Sequence, residues 1–109
     1  MKQQNISILL SEKNIEVVES ILKNSNYFYE IVKTSKVNSN VLIIDDTYLN
    51  EEFDIESIKL QKIICIIPSN YLKFVADKFK TDKKITFLEL PITYDKLIKI
   101  LKKSFQEKP

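Results

Sequence analysis

Apolar positions in this chain fall into short continuous runs, and polar stretches of helical period separate them. Ile6–Leu10 (ISILL) is the first run, a strand closed by Ser11 and Glu12. Ser11 or Asn14 can cap a helix over Ile15–Lys23. Ile15, Val18, Ile21 and Leu22 form its apolar stripe, with Glu16, Glu19 and Lys23 outside it. Asn24, Ser25 and Asn26 are turn formers that end the helix. Tyr27–Thr34 then reads as an edge strand, aromatic and β-branched but interrupted by Glu30 and Lys33.

The central run is NVLIIDD, Asn40–Asp46. Val41, Leu42, Ile43 and Ile44 are too few for a useful helix and describe a strand buried on both faces, as in a parallel sheet covered by helices. Asp45 and Asp46 stand where that strand leaves the sheet, the end at which open α/β sheets collect ligands and chemistry. A polar, acidic stretch, Thr47–Asp54, precedes a short, weakly amphipathic helix over Ile55–Lys62. Ile63–Ile67 (IICII) is a second fully buried strand, stopped by Pro68, Ser69 and Asn70. The spacing predicts a helix over Tyr71–Phe79 with Leu72, Val75, Ala76 and Phe79 on one side. After a charged loop, Lys80–Lys84, the last strand is Ile85–Leu90. Pro91 ends it, and Thr93 caps a helix from Tyr94 to about Gln106 with a stripe of Tyr94, Leu97, Ile98, Leu101 and Phe105.

Strands alternating with helices predict an α/β domain spanning residues 1–109, with a mostly parallel five-stranded sheet and helices on both faces. One link does not fit the pattern. Ser35–Asn40 is short, whereas a crossover between parallel strands takes about ten or more residues and usually a helix. Either a helix is missing between the second and third strands, or the second strand does not run parallel.

Composition narrows the chemistry. The chain has no histidine, which removes the commonest general base, the usual metal ligand and His-dependent triads. It has no glycine, so neither a P-loop nor a Gly-rich dinucleotide fingerprint exists. The single cysteine, Cys65, lies inside an apolar run and reads as a core residue. Ile63–Ile67 is too short to cross a bilayer, and the N-terminus lacks the long apolar region of a signal peptide, so a cytoplasmic protein without membrane contact is expected. The net charge of +2 is too small to argue for direct nucleic-acid contact. Its distribution is uneven: residues 41–60 carry six acids against Lys59, while residues 71–109 carry ten lysines against five acids. An acidic rim and a basic C-terminal side can steer a partner, and equally describe solvated helix faces.

From ISILLSEKN through NVLIID and IICIIPSN to FLELPIT and the last helix, the chain resembles the receiver domains of bacterial two-component response regulators. The resemblance implies a flavodoxin-like (CheY-like) fold with strand order 2-1-3-4-5. It also implies a phosphoacceptor aspartate after the third strand, here Asp45. In the family, acids after the first strand help to bind magnesium, a Ser/Thr after the fourth strand contacts the phosphoryl group, and a lysine precedes the proline after the fifth strand. A cation and a lysine screen the phosphoryl charge while the carboxylate acts as nucleophile.

Position by position the set is incomplete. The acid pair falls on Ser11 and Glu12, so Glu12 and Asp45 are left as a weak magnesium pair. The Ser/Thr falls on Pro68, with Ser69 one place later as the phosphoryl-contact candidate. The lysine falls on Leu90, before Pro91, where the family's cis peptide is expected. The switch aromatic falls on Phe87, which has no hydroxyl. These departures predict a degenerate, or pseudo-receiver, domain that is not an enzyme, needs no cofactor and acts through its surface, with Asp45 a relic carboxylate at a solvated strand end. The alternative is a phosphotransfer-competent receiver with a relaxed site at Asp45. A third option is an α/β interaction protein whose similarity is only topological. The family's usual docking face, built from its fourth helix, fifth strand and fifth helix, would here carry Tyr71, Lys73, Phe74, Lys78, Glu89, Tyr94, Lys99 and Lys103. A protein partner or a second copy of the chain is expected on that face.

Overall fold

The computed structural model describes residues 5–33, 39–49 and 62–106. Five strands make one parallel sheet: β1 (Asn5–Leu9), β2 (Phe28–Ile31), β3 (Val41–Asp45), β4 (Lys62–Ile67) and β5 (Ile85–Glu89). Their spatial order is β2-β1-β3-β4-β5. The described helices are α1 (Glu12–Lys23), α2 (Asp77–Lys80) and α3 (Tyr94–Gln106), with a single 3₁₀ turn at Tyr71–Phe74.

The register explains the continuous apolar runs. Ile8, Ile43 and Ile64 are cross-strand partners in β1, β3 and β4, and Leu9, Ile44 and Cys65 form the next row. Side chains alternate across the pleat, and both faces are covered. One layer holds Ile6, Ile8, Val41, Ile43, Ile64, Ile66 and Leu88 under Val18, Ile21 and Leu22 of α1 and Leu97, Ile98 and Leu101 of α3. The other holds Leu9, Leu42, Ile44, Ile63, Cys65, Ile67 and Ile85 with Leu49, Val75 and Phe79. Burial of two β-branched layers is the main driving force for this arrangement.

The second strand runs parallel to β1, which resolves the open question of its direction. It is an edge strand and shorter than the expected Tyr27–Thr34, and its side chains are mostly exposed. The β2–β3 connection includes residues 34–38, so the expected absence of a helix there lies outside the described residues. The helix expected over Ile55–Lys62 also falls there, except that Lys62 itself opens β4.

Two helices differ from the periodic reading. Helix α1 begins at Glu12, not Ile15, because Ser11 is extended (φ −65°, ψ 156°) and its carbonyl accepts from the N–H groups of both Asn14 and Ile15. The continuous helix expected over Tyr71–Phe79 is broken. Val75 (φ −78°, ψ 137°) and Ala76 (φ −58°, ψ 142°) are extended between the 3₁₀ turn and α2. Val75 and Phe79 are the two anchors buried in the core, while Leu72 is left 39% exposed. Extending the backbone between the anchors lets both reach the sheet. Helix α3 forms as expected, with the Lys96 N–H donating to Thr93 Oγ1 at 3.3 Å. Tyr94, assigned to its apolar stripe, is instead 48% exposed.

Candidate functional site

The parallel sheet brings the ends of β1, β3, β4 and β5 to one side of the molecule. Ser11 and Glu12, Asp46, Pro68 and Ser69, and Leu90 and Pro91 all follow strands there, and Asp45 ends one. Asp45 is the last residue of β3 and pairs in register with Ile66 of β4. The expected solvated strand end is not what the fold builds. Asp45 is 0% exposed.

Four donors hold its carboxylate. Oδ2 accepts from the Ser11 N–H at 2.8 Å, from Ser11 Oγ at 2.8 Å and from Asn14 Nδ2 at 2.9 Å. Oδ1 accepts from the Thr47 N–H at 3.1 Å, and the Asp45 carbonyl accepts from the Tyr48 N–H at 3.1 Å. Asn14 Nδ2 also donates to Ser11 Oγ at 3.3 Å, which closes a ring of three side chains. A buried carboxylate is costly unless its oxygens are met, and here both are met by the chain itself.

The Ser11 hydroxyl, which would ordinarily cap α1, makes no side-chain cap bond because it is turned to Asp45. Asp45 thus sets a carboxylate against the first turn of α1 from 34 residues away. Negative charge at a helix N-terminus is favourable, and Glu12 in the first turn adds to it.

Asn14 is the residue that the periodic reading missed as a site residue. It was expected only as an alternative cap, yet it is buried on the inner face of α1 with Val18, Ile21 and Leu22. With the helix starting at Glu12, Asn14 and Val18 fall one turn apart on the same stripe. A polar residue on an apolar stripe at the head of a helix was the available signal.

Asp45 Oδ2 is already taken by three donors and is not offered to a magnesium ion. Magnesium takes oxygen ligands, whereas the groups around Asp45 Oδ2 are N–H and O–H donors aimed at that oxygen. Glu12 is exposed on the outer side of the first turn. Among the described residues no group of three or more His, Cys, Asp or Glu side chains is placed to hold a metal.

The remaining candidates divide clearly. Ser69 is exposed in the turn after β4, next to Asn70 in the left-handed region (φ 69°). Leu90 is half-buried against the α1/α3 layer, and its N–H donates to the Ile67 carbonyl at 2.8 Å. The Leu90–Pro91 peptide is cis, and Phe87 packs partly buried beside Cys65 and Ile67. Burial, with the nearby Asp45 and Asp46 charges adding to it, pushes the Cys65 thiol up to about 12.

Of the expected docking residues, Phe74 is 72% exposed with Lys73 Nζ 5.2 Å from its ring centre. Lys78, Lys99 and Lys103 are exposed. Tyr71 packs partly buried against the core, with its ring centre 6.3 Å from that of Phe74.

Solved structures share this architecture. A response regulator receiver protein from Sinorhizobium medicae WSM419 superposes with a TM-score of 0.67 at 14% identity over 94% of each chain. A response regulator receiver domain protein from Clostridium thermocellum gives 0.66 at 12% identity over 92% of each. This chain has the receiver fold. A signal receiver domain from Vibrio parahaemolyticus adds a third such match, with a TM-score of 0.65 at 14% identity, covering 95% of this chain and 94% of that one. The strand order expected from the resemblance, 2-1-3-4-5, is the order of this receiver fold. No protein-family model and no curated protein matches the sequence.

Proposed function

We propose that the chain is a degenerate receiver domain of a response regulator, a non-enzymatic module that works by protein interaction without phosphoryl transfer. The observation that carries this reading is the occupied Asp45 carboxylate: both oxygens accept hydrogen bonds from the chain's own donors, and none of the residue is exposed. A phosphoryl donor would have to displace Ser11 and Asn14 to free Oδ2, or the Thr47 N–H to free Oδ1. Leu90 stands at the place where the resemblance puts a lysine, and a hydrocarbon cannot pair with an acyl phosphate.

The module acts through a cytoplasmic protein partner or a second copy on the face that carries Phe74, Lys78, Tyr94, Lys99 and Lys103. What supports this is the exposure of Phe74, with Lys73 over its ring, and of Tyr94. Aromatic residues rimmed by charge suit an interface core.

The test is incubation with acetyl phosphate and magnesium, followed by intact mass measurement. The mass is expected to stay unchanged. A stable phosphoryl adduct on Asp45 would overturn the proposal in favour of a phosphotransfer-competent receiver.

A further inference from the structure

The ring around Asp45 joins two elements that are distant in sequence. Its donors come from the residue before α1 and from the first turn of α1, and its acceptor is the end of β3. The bonds that bury Asp45 are therefore also bonds that hold the head of α1 on the sheet. Oδ2 has three donors already, so a further ligand can reach it only by replacing some of them.

We propose that Asp45, Ser11 and Asn14 form a latch in which an accessible Asp45 and a docked first turn of α1 are mutually exclusive states. A partner that lifts the first turn of α1 unmasks the carboxylate. Whatever engages Oδ2 releases the first turn. The coupling acts equally in both directions, since each event biases the same two-state element. The route runs through α1 and not through Leu90, and it stands on the geometry alone, whether or not the chain signals as a receiver.

Three features make the latch discrete. Asn14 is 5% exposed and Asp45 0%, so partial opening leaves polar groups buried and unpaired, which is unfavourable. Ser11 contributes both its N–H and its hydroxyl to one oxygen, so its movement breaks two bonds together. The neighbouring strand positions are apolar: Ile44 and Ile66 hold β3 and β4 in place while α1 moves.

The latch is tested by reading both sides at once. Carboxylate labelling with a water-soluble carbodiimide and an amine reports the accessibility of Asp45. Amide hydrogen exchange at residues 11–15 reports the first turn of α1, and exchange at residues 63–67 reports the sheet. In the unaltered protein Asp45 is expected to label at least about tenfold more slowly than exposed Glu12, as loss of a charge-assisted bond precedes reaction. Sub-denaturing urea should raise Asp45 labelling and exchange at residues 11–15 in step, before residues 63–67 exchange. Asn14→Ala and the milder Ser11→Ala should each raise both signals together, by about tenfold, with residues 63–67 still protected. Labelling of Asp45 as fast as Glu12 in the unaltered protein overturns the latch. So does a rise in one signal without the other, either in urea or in the variants. The urea series needs no substitution, so it decides the matter even where a variant fails to fold. A phosphoryl adduct at Asp45 would end the functional proposal without touching these outcomes.

Discussion

Asn14 Nδ2 donates to Asp45 Oδ2 across 2.9 Å and so ties the inner face of helix α1 to the end of the central strand, 31 residues further along the chain. The bond is buried, and its two partners share Ser11 as a third member. A residue that resembles a phosphoacceptor by position is, by its contacts, a structural anchor.

The anchor has a measurable energy. Asp45→Ala leaves the Ser11 N–H, the Ser11 hydroxyl and the Asn14 amide without their shared acceptor, and should cost about 2–4 kcal/mol in urea denaturation. Asp45→Asn should cost less. Its one oxygen can take the three donors now grouped at Oδ2, while its amide meets only the Thr47 N–H. Equal losses for the two variants would mean that the charge, not the acceptor geometry, does the anchoring.

Under the proposed reading, a lysine placed at position 90, where the resemblance puts one, should not confer phosphoryl transfer. Leu90→Lys supplies a cation beyond β5 but leaves Asp45 held by the same four donors. Intact mass after acetyl phosphate and magnesium should remain that of the unmodified variant. A modified Leu90→Lys protein would show that Leu90 alone had blocked the chemistry.

Cys65 should make stability fall at alkaline pH. Its thiol titrates near 9.0 when unfolded and at about 12 in the folded chain, chiefly because burial disfavours the thiolate. The unfolded state therefore loses its proton first. The contribution is fully present below pH 9 and is lost as pH rises from there towards 12. Cys65→Ala should flatten the decline of the urea midpoint above pH 9. Tyr27 and Tyr29, both raised above 10.0 with desolvation as the largest cause, act in the same direction at still higher pH and remain in the variant.

Surface and core aromatic or aliphatic positions should separate cleanly. Ile43 of β3 is 0% exposed in the layer beneath α1 and α3, and Ile43→Ala should cost about 2–5 kcal/mol. Phe74 is 72% exposed, so Phe74→Ala should change stability by no more than about 0.5 kcal/mol. Under the proposed docking face, sedimentation equilibrium should show weaker self-association, or a pull-down weaker partner capture, for Phe74→Ala alone. A large stability loss for Phe74→Ala would show that the ring belongs to the core.

The buried strands of the sheet and the last helix were legible in the sequence. Runs such as VLII and IICII are apolar on consecutive residues, mostly β-branched and too short for a helix, which suits a strand covered on both faces. Helix α3 was equally legible, because Leu97, Ile98 and Leu101 repeat at helical spacing and Thr93 caps them. Strand order came from the resemblance, and only the fold settled that β2 runs parallel to β1. The break at Val75 was invisible, since the stripe of Leu72, Val75 and Phe79 fits one helix as well as two anchored pieces. The state of Asp45 was decided entirely by tertiary structure. Local patterns show which residues want burial, but a carboxylate at a strand end is solvated or sealed according to what packs above it. Here Ser11 and Asn14, more than 30 residues away, arrive there only because β1 lies beside β3 and α1 folds back across them.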